Sequence, residues 1–130
     1  VMAAAVADYR PSLPESSKRK KAEGTWTVEL ERTQDVLREL GHASSEGQVI
    51  VGFAADEGID GLEYARQKRN EKKADLIVFN DISRSDVGFE ASENELVLIG
   101  SQGETHIDKR SKEKCAVAIL DAISLLLRSE

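Results

Sequence analysis

The sequence predicts an α/β layered domain with a mainly parallel sheet and an antiparallel hairpin near its edge. Three observations carry this. Short apolar runs at residues 49–54 and 76–79 read as strands buried on both faces, as in sheets covered by helices. Segments with helical apolar spacing alternate with them. Two further strand-like runs, 95–99 and 105–107, are separated by a turn that begins at Gly100 and ends at Gly103.

Taken in order, residues 3–7 form a small-residue run that reads as a buried strand, broken by Asp8-Tyr9-Arg10-Pro11. Residues 12–24 are polar, contain Pro14, and read as a mobile loop; residues 10–24 are expected to act as a flexible flap. Trp26, Val28 and Leu30 alternate with polar neighbours, the pattern of a half-buried strand over 25–30. A helix is predicted over 34–40, with Val36, Leu37 and Leu40 apolar, Thr33 as N-cap and Gly41 as its stop. A second helix is predicted over 60–73, and Asn80-Asp81 closes the strand that follows it. Ser111 is placed to cap a last helix reaching about residue 128. Its apolar stripe is Cys115, Ile119, Ile123 and Leu126, with Lys114, Asp121 and Arg128 turned to solvent.

The chain has 130 residues, 40% of them hydrophobic, which suits one domain with its own core. No apolar run approaches the ~20 residues of a membrane-spanning helix. The opening apolar run lacks the basic leader and cleavage site of a signal peptide. Cys115 is the single cysteine, which excludes an intramolecular disulfide and a multi-cysteine zinc site and fits a reducing cytoplasm. With 18 basic against 24 acidic residues the net charge is -6, so nucleic-acid binding through overall charge is excluded. Half of the basic residues nevertheless sit in two blocks: Lys18, Arg19, Lys20 and Lys21, and Arg66, Lys68, Arg69, Lys72 and Lys73. These are either two solvated faces or two arms converging on a small polyanion.

In open parallel sheets, ligands bind beyond the carboxyl ends of the strands. Asp8, Phe53 and Asn80-Asp81 are the candidates there. Asp8 could hold a metal ion or a sugar hydroxyl, or cap a turn. Phe53 could stack on a base or belong to the core, and Asn80 and Asp81 are expected to fix a turn through backbone amides. The helix opening at Thr33, Gln34, Asp35 and Val36 offers free amides and a positive dipole end to a phosphate. Lys68 and Lys72, spaced i, i+4, share one helical face, where an anion would relieve their repulsion. There is no GxxxxGK[ST] loop and no GxGxxG fingerprint. His42 and His106 stand apart as surface residues rather than ligands, and Cys115 reads as buried and inert.

Together, Ala3-Ala-Ala-Val-Ala-Asp-Tyr-Arg-Pro11, the Lys18-Arg-Lys-Lys21 block, Val51-Gly-Phe-Ala-Ala55, Tyr64-Ala-Arg-Gln-Lys68 and Asn80-Asp81 resemble phosphopantothenoylcysteine synthetase. That family is the synthetase part of the bifunctional coenzyme A biosynthesis flavoprotein, and the resemblance runs from Val1 into the final helix. It implies a three-layer Rossmann-like domain, a cytoplasmic homodimer, and a ligase joining 4'-phosphopantothenate to cysteine through an acyl-cytidylate, with CTP and magnesium. No flavin is expected in this segment. Carried over by motif, Lys18 becomes the catalytic lysine of the flap. Asp8, Gln34, Asp35, Val36, Leu37, Phe53, Lys68 and Lys72 become nucleotide contacts. The resemblance assigns no metal ligand.

The sequence departs from the family in two ways. The family's Asn-Pro-Asp at the helix start is Thr33-Gln34-Asp35 here; threonine still caps, so the phosphate seat is expected to survive. The glycine-rich segment and an asparagine that processes the acyl-cytidylate lie upstream of these residues in the family. The chain therefore reads as the carboxyl-terminal portion of the synthetase. The alternative function is a non-catalytic nucleotide-binding subdomain that needs the upstream segment.

Overall fold

A computed structural model describes residues 1–14, 16–18, 20, 23–83 and 91–128. The chain divides into two compact units, Val1–Ala3 with Val36–Glu130, and Ala4–Asp35.

Among the described residues, the larger unit has one sheet of four strands, which neighbour one another in chain order. They are β3 (Val51–Asp56), β4 (Leu76–Asp81), β5 (Glu93–Gly100) and β6 (Gly103–Ser111). β3 and β4 pair in parallel, whereas β4–β5 and the β5–β6 hairpin are antiparallel. The α/β class and the edge hairpin match the sequence reading, and the sheet is mixed. Among the described residues three helices cover it: α1 (Val36–Ala43), α2 (Gly58–Glu71) and α3 (Lys112–Arg128).

Strand side chains alternate between faces, so each face has its own core. On one, Val51, Leu76, Val78, Leu96, Leu98 and Ile107 pack with Cys115 and Ile119 of α3. On the other, Ala54, Ile77, Phe79 and Ile99 pack with Leu37 of α1 and Ala65 of α2. These two faces make the expected three layers. β4 is the keystone: its continuous Leu76–Phe79 run has a partner layer on both sides, and Ile77 and Val78 are both 0% exposed. The stripe predicted for the last helix is the one that packs, with Ile123 and Leu126 partly buried beside Cys115 and Ile119. Ser111 caps that helix, its Oγ accepting from the Lys114 amide at 3.4 Å.

The smaller unit is a two-stranded antiparallel ribbon of β1 (Tyr9–Pro11) and β2 (Leu30–Arg32). Arg10 Nε donates to Glu31 Oε1 across it at 2.7 Å. Several expectations fail here. Residues 3–7 form no strand and are exposed; only Met2 bridges in parallel to Gly52 of β3. A run of single methyls offers little apolar area to hold it in place. Tyr9, Arg10 and Pro11, expected to break a strand, instead form one. Trp26, Val28 and Leu30 are 64%, 44% and 57% exposed, because the ribbon has no second layer within its own unit to receive their alternation.

The first helix also differs. It begins at Val36 and runs through Gly41 to Ala43. Thr33 is no N-cap: its hydroxyl donates to the Ala7 carbonyl and its amide to the Asp8 carbonyl, which extends the β1–β2 ladder. Gly41 does not stop the helix; it is buried inside it.

We expect Ile77→Ala to cost about 2–5 kcal/mol, since a fully buried side chain in a two-sided core leaves a cavity. Denaturant unfolding of the variant checks this; a loss below about 1 kcal/mol would mean that β4 is not the centre of the core.

Candidate functional site: the outer edge of β3

β3 is the last strand on its side of the sheet, and its outer edge carries the carbonyls of Val51 and Phe53. The Met2 amide donates to the first at 2.8 Å. The second accepts from Lys68 Nζ at 3.1 Å, so a side chain of α2 reaches over the strand to its rim. Phe53 lies inside β3 rather than at its end. By alternation its ring shares the face of Val51, opposite Gly52 and Ala54, and it remains 38% exposed. The ring is therefore not part of the packed core, and Lys68 meets Phe53 through the backbone rather than the ring.

α1 approaches the same strand from the face of Gly52. A Cβ on Gly52 would lie 2.5 Å from Leu37 Cδ2, so the glycine is what lets Leu37 lie flat on β3. One turn further along α1, a Cβ on Gly41 would fall on the Lys72 carbonyl oxygen. Lys72 is the C-cap of α2, and its amide donates to the Lys68 carbonyl at 3.1 Å. The contacts thus close on themselves, from Leu37 to Gly52, Phe53, Lys68, Lys72, Gly41 and back to Leu37. They bring Val36, Leu37, the Phe53 carbonyl, Lys68 and Lys72 to one edge of the larger unit, with the Phe53 ring on the other face of β3.

The other candidates lie in the smaller unit. The carbonyl of Asp8 accepts from Thr33 at 2.9 Å. Gln34 and Asp35 follow β2 and immediately precede α1 in sequence. Lys18 is exposed in the long β1–β2 connection with Lys20, while Arg19 and Lys21 lie outside the described residues.

The second basic block divides in two. Arg66 holds Glu104 with two nitrogens, Nε to Oε1 at 2.6 Å and Nη2 to Oε2 at 3.1 Å, and Nη1 donates to Glu63 at 2.8 Å. This forked geometry raises the Arg66 pKa further and, chiefly through the hydrogen bond from Arg66, holds the Glu104 carboxyl below its usual value. Arg69 donates to the Asp75 carbonyl and to Asn70 Oδ1. These two arginines are structural cations that tie α2 to its surroundings, while Lys68 and Lys72 lie on the β3 rim and the α2 C-cap.

At the carboxyl ends of β3 and β4 the groups serve the fold. Asp81 Oδ1 accepts from the amides of Gly58 at 3.0 Å and Ser83 at 2.9 Å, which fixes the turn as expected and sets a carboxylate at the first amide of α2. An anion seat at that helix start is thereby already filled by the protein. Asn80 does not share the turn role: its buried Oδ1 has no partner among the described residues. A cleft of about 260 Å³ is lined by Asp81 with Ile59, Leu62, Phe79, Val97 and His106, and none of the residues expected to contact a nucleotide lines it. His42 and His106 are exposed and Cys115 is buried, as read from the sequence, and desolvation pushes the Cys115 thiol pKa up.

Residues 1–126 match the DNA/pantothenate metabolism flavoprotein C-terminal domain family. The chain belongs to that family. Among relatives of this flavoprotein domain, the coenzyme A biosynthesis bifunctional protein CoaBC of Bacillus subtilis is 40% identical over 127 residues, covering 97% of this chain and 31% of the relative. CoaBC of Mycobacterium bovis is 42% identical over 137 residues, covering 98% of this chain and 32% of that protein. The chain thus spans about a third of these relatives. The crystal structure of the C-terminal domain of a CoaBC superposes with TM-score 0.70 at 33% identity, covering 98% of this chain and 53% of that one. The DNA/pantothenate metabolism flavoprotein of Streptococcus pneumoniae shares the fold, with TM-score 0.61 at 17% identity over 77% of this chain and 42% of that one. No described helix of this family member is long and apolar enough to cross a membrane.

Single-sequence reasoning missed Gly41, Gly52 and Glu104. A glycine in an apolar helical stretch reads as a stop signal, and only a neighbouring backbone shows that it is a contact. Nothing in the sequence pairs Glu104 with Arg66, 38 positions away.

Because Glu104 binds protons more weakly when folded than its ordinary value of 4.5, its contribution is present above that pH and lost as pH falls through the lower folded value. Glu104→Gln should therefore lower Tm at pH 7, with the difference from wild type shrinking as pH falls below the ordinary value and closing once Glu104 is protonated in the folded state. A Tm gap that persists unchanged in acid would mean that the ion pair is not its source.

Proposed function

We propose that the chain is part of a ligase of coenzyme A biosynthesis that couples 4'-phosphopantothenate to cysteine at the expense of CTP. The observation that carries this reading is the closed set of contacts at the β3 edge, in a member of this family. A helix start, a strand-edge carbonyl and two lysines of one helical turn meet there. A nucleoside triphosphate needs that combination of helix amides, cations and a flat apolar surface.

In this reading the phosphopantothenate carboxylate attacks the α-phosphorus of CTP, pyrophosphate leaves, and an acyl-cytidylate forms. The amine of cysteine then attacks the acyl carbon, CMP departs, and the amide remains after the amine loses its proton. Lys68 and Lys72 neutralise the triphosphate, the amides at Val36 and Leu37 receive a phosphate oxygen, and the exposed Phe53 ring lies against the base. Asp8, Gln34 and Asp35 supply further nucleotide contacts. Lys18 on its long connection meets charge that develops in the transition state. Magnesium enters as part of the substrate, Mg·CTP. This ion is commonly held by substrate phosphates with one or two carboxylates, and among the described residues no three His, Cys, Asp or Glu side chains gather as a cage. We place the protein in the cytoplasm as a homodimer, with no nucleic-acid or membrane partner.

A second reading keeps the nucleotide contacts without the chemistry. In it, the chain is a non-catalytic nucleotide-binding subdomain. Pyrophosphate release from the chain with CTP, 4'-phosphopantothenate and cysteine selects the ligase; nucleotide binding without release selects the subdomain.

Calorimetric titration with Mg·CTP and, separately, Mg·ATP should give saturable binding with CTP preferred, weakened about tenfold or more by Lys68→Ala, since a hydrogen bond to a charged group is worth about 1.5–3 kcal/mol. Absence of binding to either nucleotide would overturn the assignment of the pocket. In the active ligase, Lys18→Ala should lower kcat about 100-fold while CTP affinity changes less than about threefold, the mark of a contact made mainly in the transition state. An unchanged kcat removes Lys18 from the mechanism.

A further inference from the structure

Gly41 is a helical residue in the last turn of α1, and within a helix glycine is the poorest residue short of proline and alanine the best. Nothing in its own backbone requires glycine: the glycines with positive φ are Gly24, Gly47, Gly58 and Gly103. Its neighbour does. A Cβ at position 41 would fall on the Lys72 carbonyl oxygen, with Lys72 C and Lys73 O each 3.0 Å away. All three are backbone atoms, which cannot turn aside as a flexible side chain can. Helix propensity therefore argues for alanine, and the approach of α1 to the end of α2 forbids it.

That approach has a consequence at the β3 edge. Leu37 and Gly41 are one turn apart on the same face of α1, and Lys68 and Lys72 are one turn apart at the end of α2. Leu37 rests on Gly52, and the next residue of β3 gives its carbonyl to Lys68. Two helices and a strand are thus braced at three points, and Gly41–Lys72 is the only one of the three made between the helices.

Building on the nucleotide pocket proposed above, we propose that Gly41 is a positioning residue. By letting α1 seat on the Lys72 carbonyl, it sets the distance between the first turn of α1 and the Lys68–Lys72 pair, and so the span available to a triphosphate. It touches no substrate and acts through both helices. A misplacement on the scale of an ångström is enough to cost up to about 100-fold where oriented groups must converge.

The test compares Gly41→Ala with Gly61→Ala. Gly61 is crowded too, its Cβ position lying 2.8 Å from Asp56 Cβ, but it sits at the opposite end of α2. Two quantities are measured on each folded variant: Mg·CTP affinity, and the rate at which a soluble acetylating reagent modifies Lys68, read by peptide mass spectrometry. Gly41→Ala should weaken CTP about tenfold and speed acetylation of Lys68 at least about threefold, because the brace that holds its ammonium on Phe53 is released. Gly61→Ala should leave both within about twofold. Equal effects of the two substitutions, or unchanged Lys68 labelling in folded Gly41→Ala, overturn the proposal. If wild type binds no CTP, the nucleotide reading fails and takes the pocket role with it, while the labelling rates still report whether the brace exists. Should Gly41→Ala not fold, Gly52→Ala perturbs the same spacing of α1 from the strand side, and its three nearest atoms are side-chain methyls of Leu37 and Ile77, which can give way. A folded Gly52→Ala with wild-type labelling and affinity likewise overturns the proposal.

Discussion

The burial of β4 on both faces is the constraint on which the larger unit depends. Ile77 and Val78 have no exposed surface and point to opposite cores, so one strand commits α1 and α2 to one side and α3 to the other. β3 takes its parallel register from β4, and β5 its antiparallel register from the other side. Remove that strand's apolar run and neither layer has a floor.

What this arrangement does for the candidate site is to leave β3 at the sheet's margin with its outward carbonyls available. Met2 answers one and Lys68 the other. A strand edge usually has to be protected, and here one of its unpaired acceptors is answered by a cation of the strand's own crossover helix. The same device holds a positive group on the strand against which α1 packs, without a dedicated loop. Close packing through Gly41 and Gly52 then decides how far apart these elements stand.

Charge in this protein follows the same logic of position over total. The net charge is -6, yet the last two turns of α2 concentrate arginines and lysines. Arg66 and Arg69, with planar guanidinium groups suited to forks and carbonyls, are engaged by Glu104, Glu63, Asp75 and Asn70. Lys68, a point charge on a flexible stem, reaches the strand edge. One basic block therefore holds both structural cations and the candidates for ligand binding.

The elements legible from the sequence are those with a strong period and a partner layer: β3, β4, the β5–β6 hairpin, α2, and α3 with its Ser111 cap and Cys115–Ile119 stripe. Family membership was legible as well, because an ordered set of short motifs survives where no single one is decisive. The readings that failed were of two kinds. Residues 3–7 and 25–30 have strand-like patterns but no layer to bury them, and periodicity reports what a segment could bury, not what is there to receive it. Thr33 and Gly41 carry the chemistry of a cap and a stop, yet the tertiary structure uses them for a ladder and a close contact. A residue type states which bonds and approaches are possible; only the neighbours brought by the fold decide which of them is made.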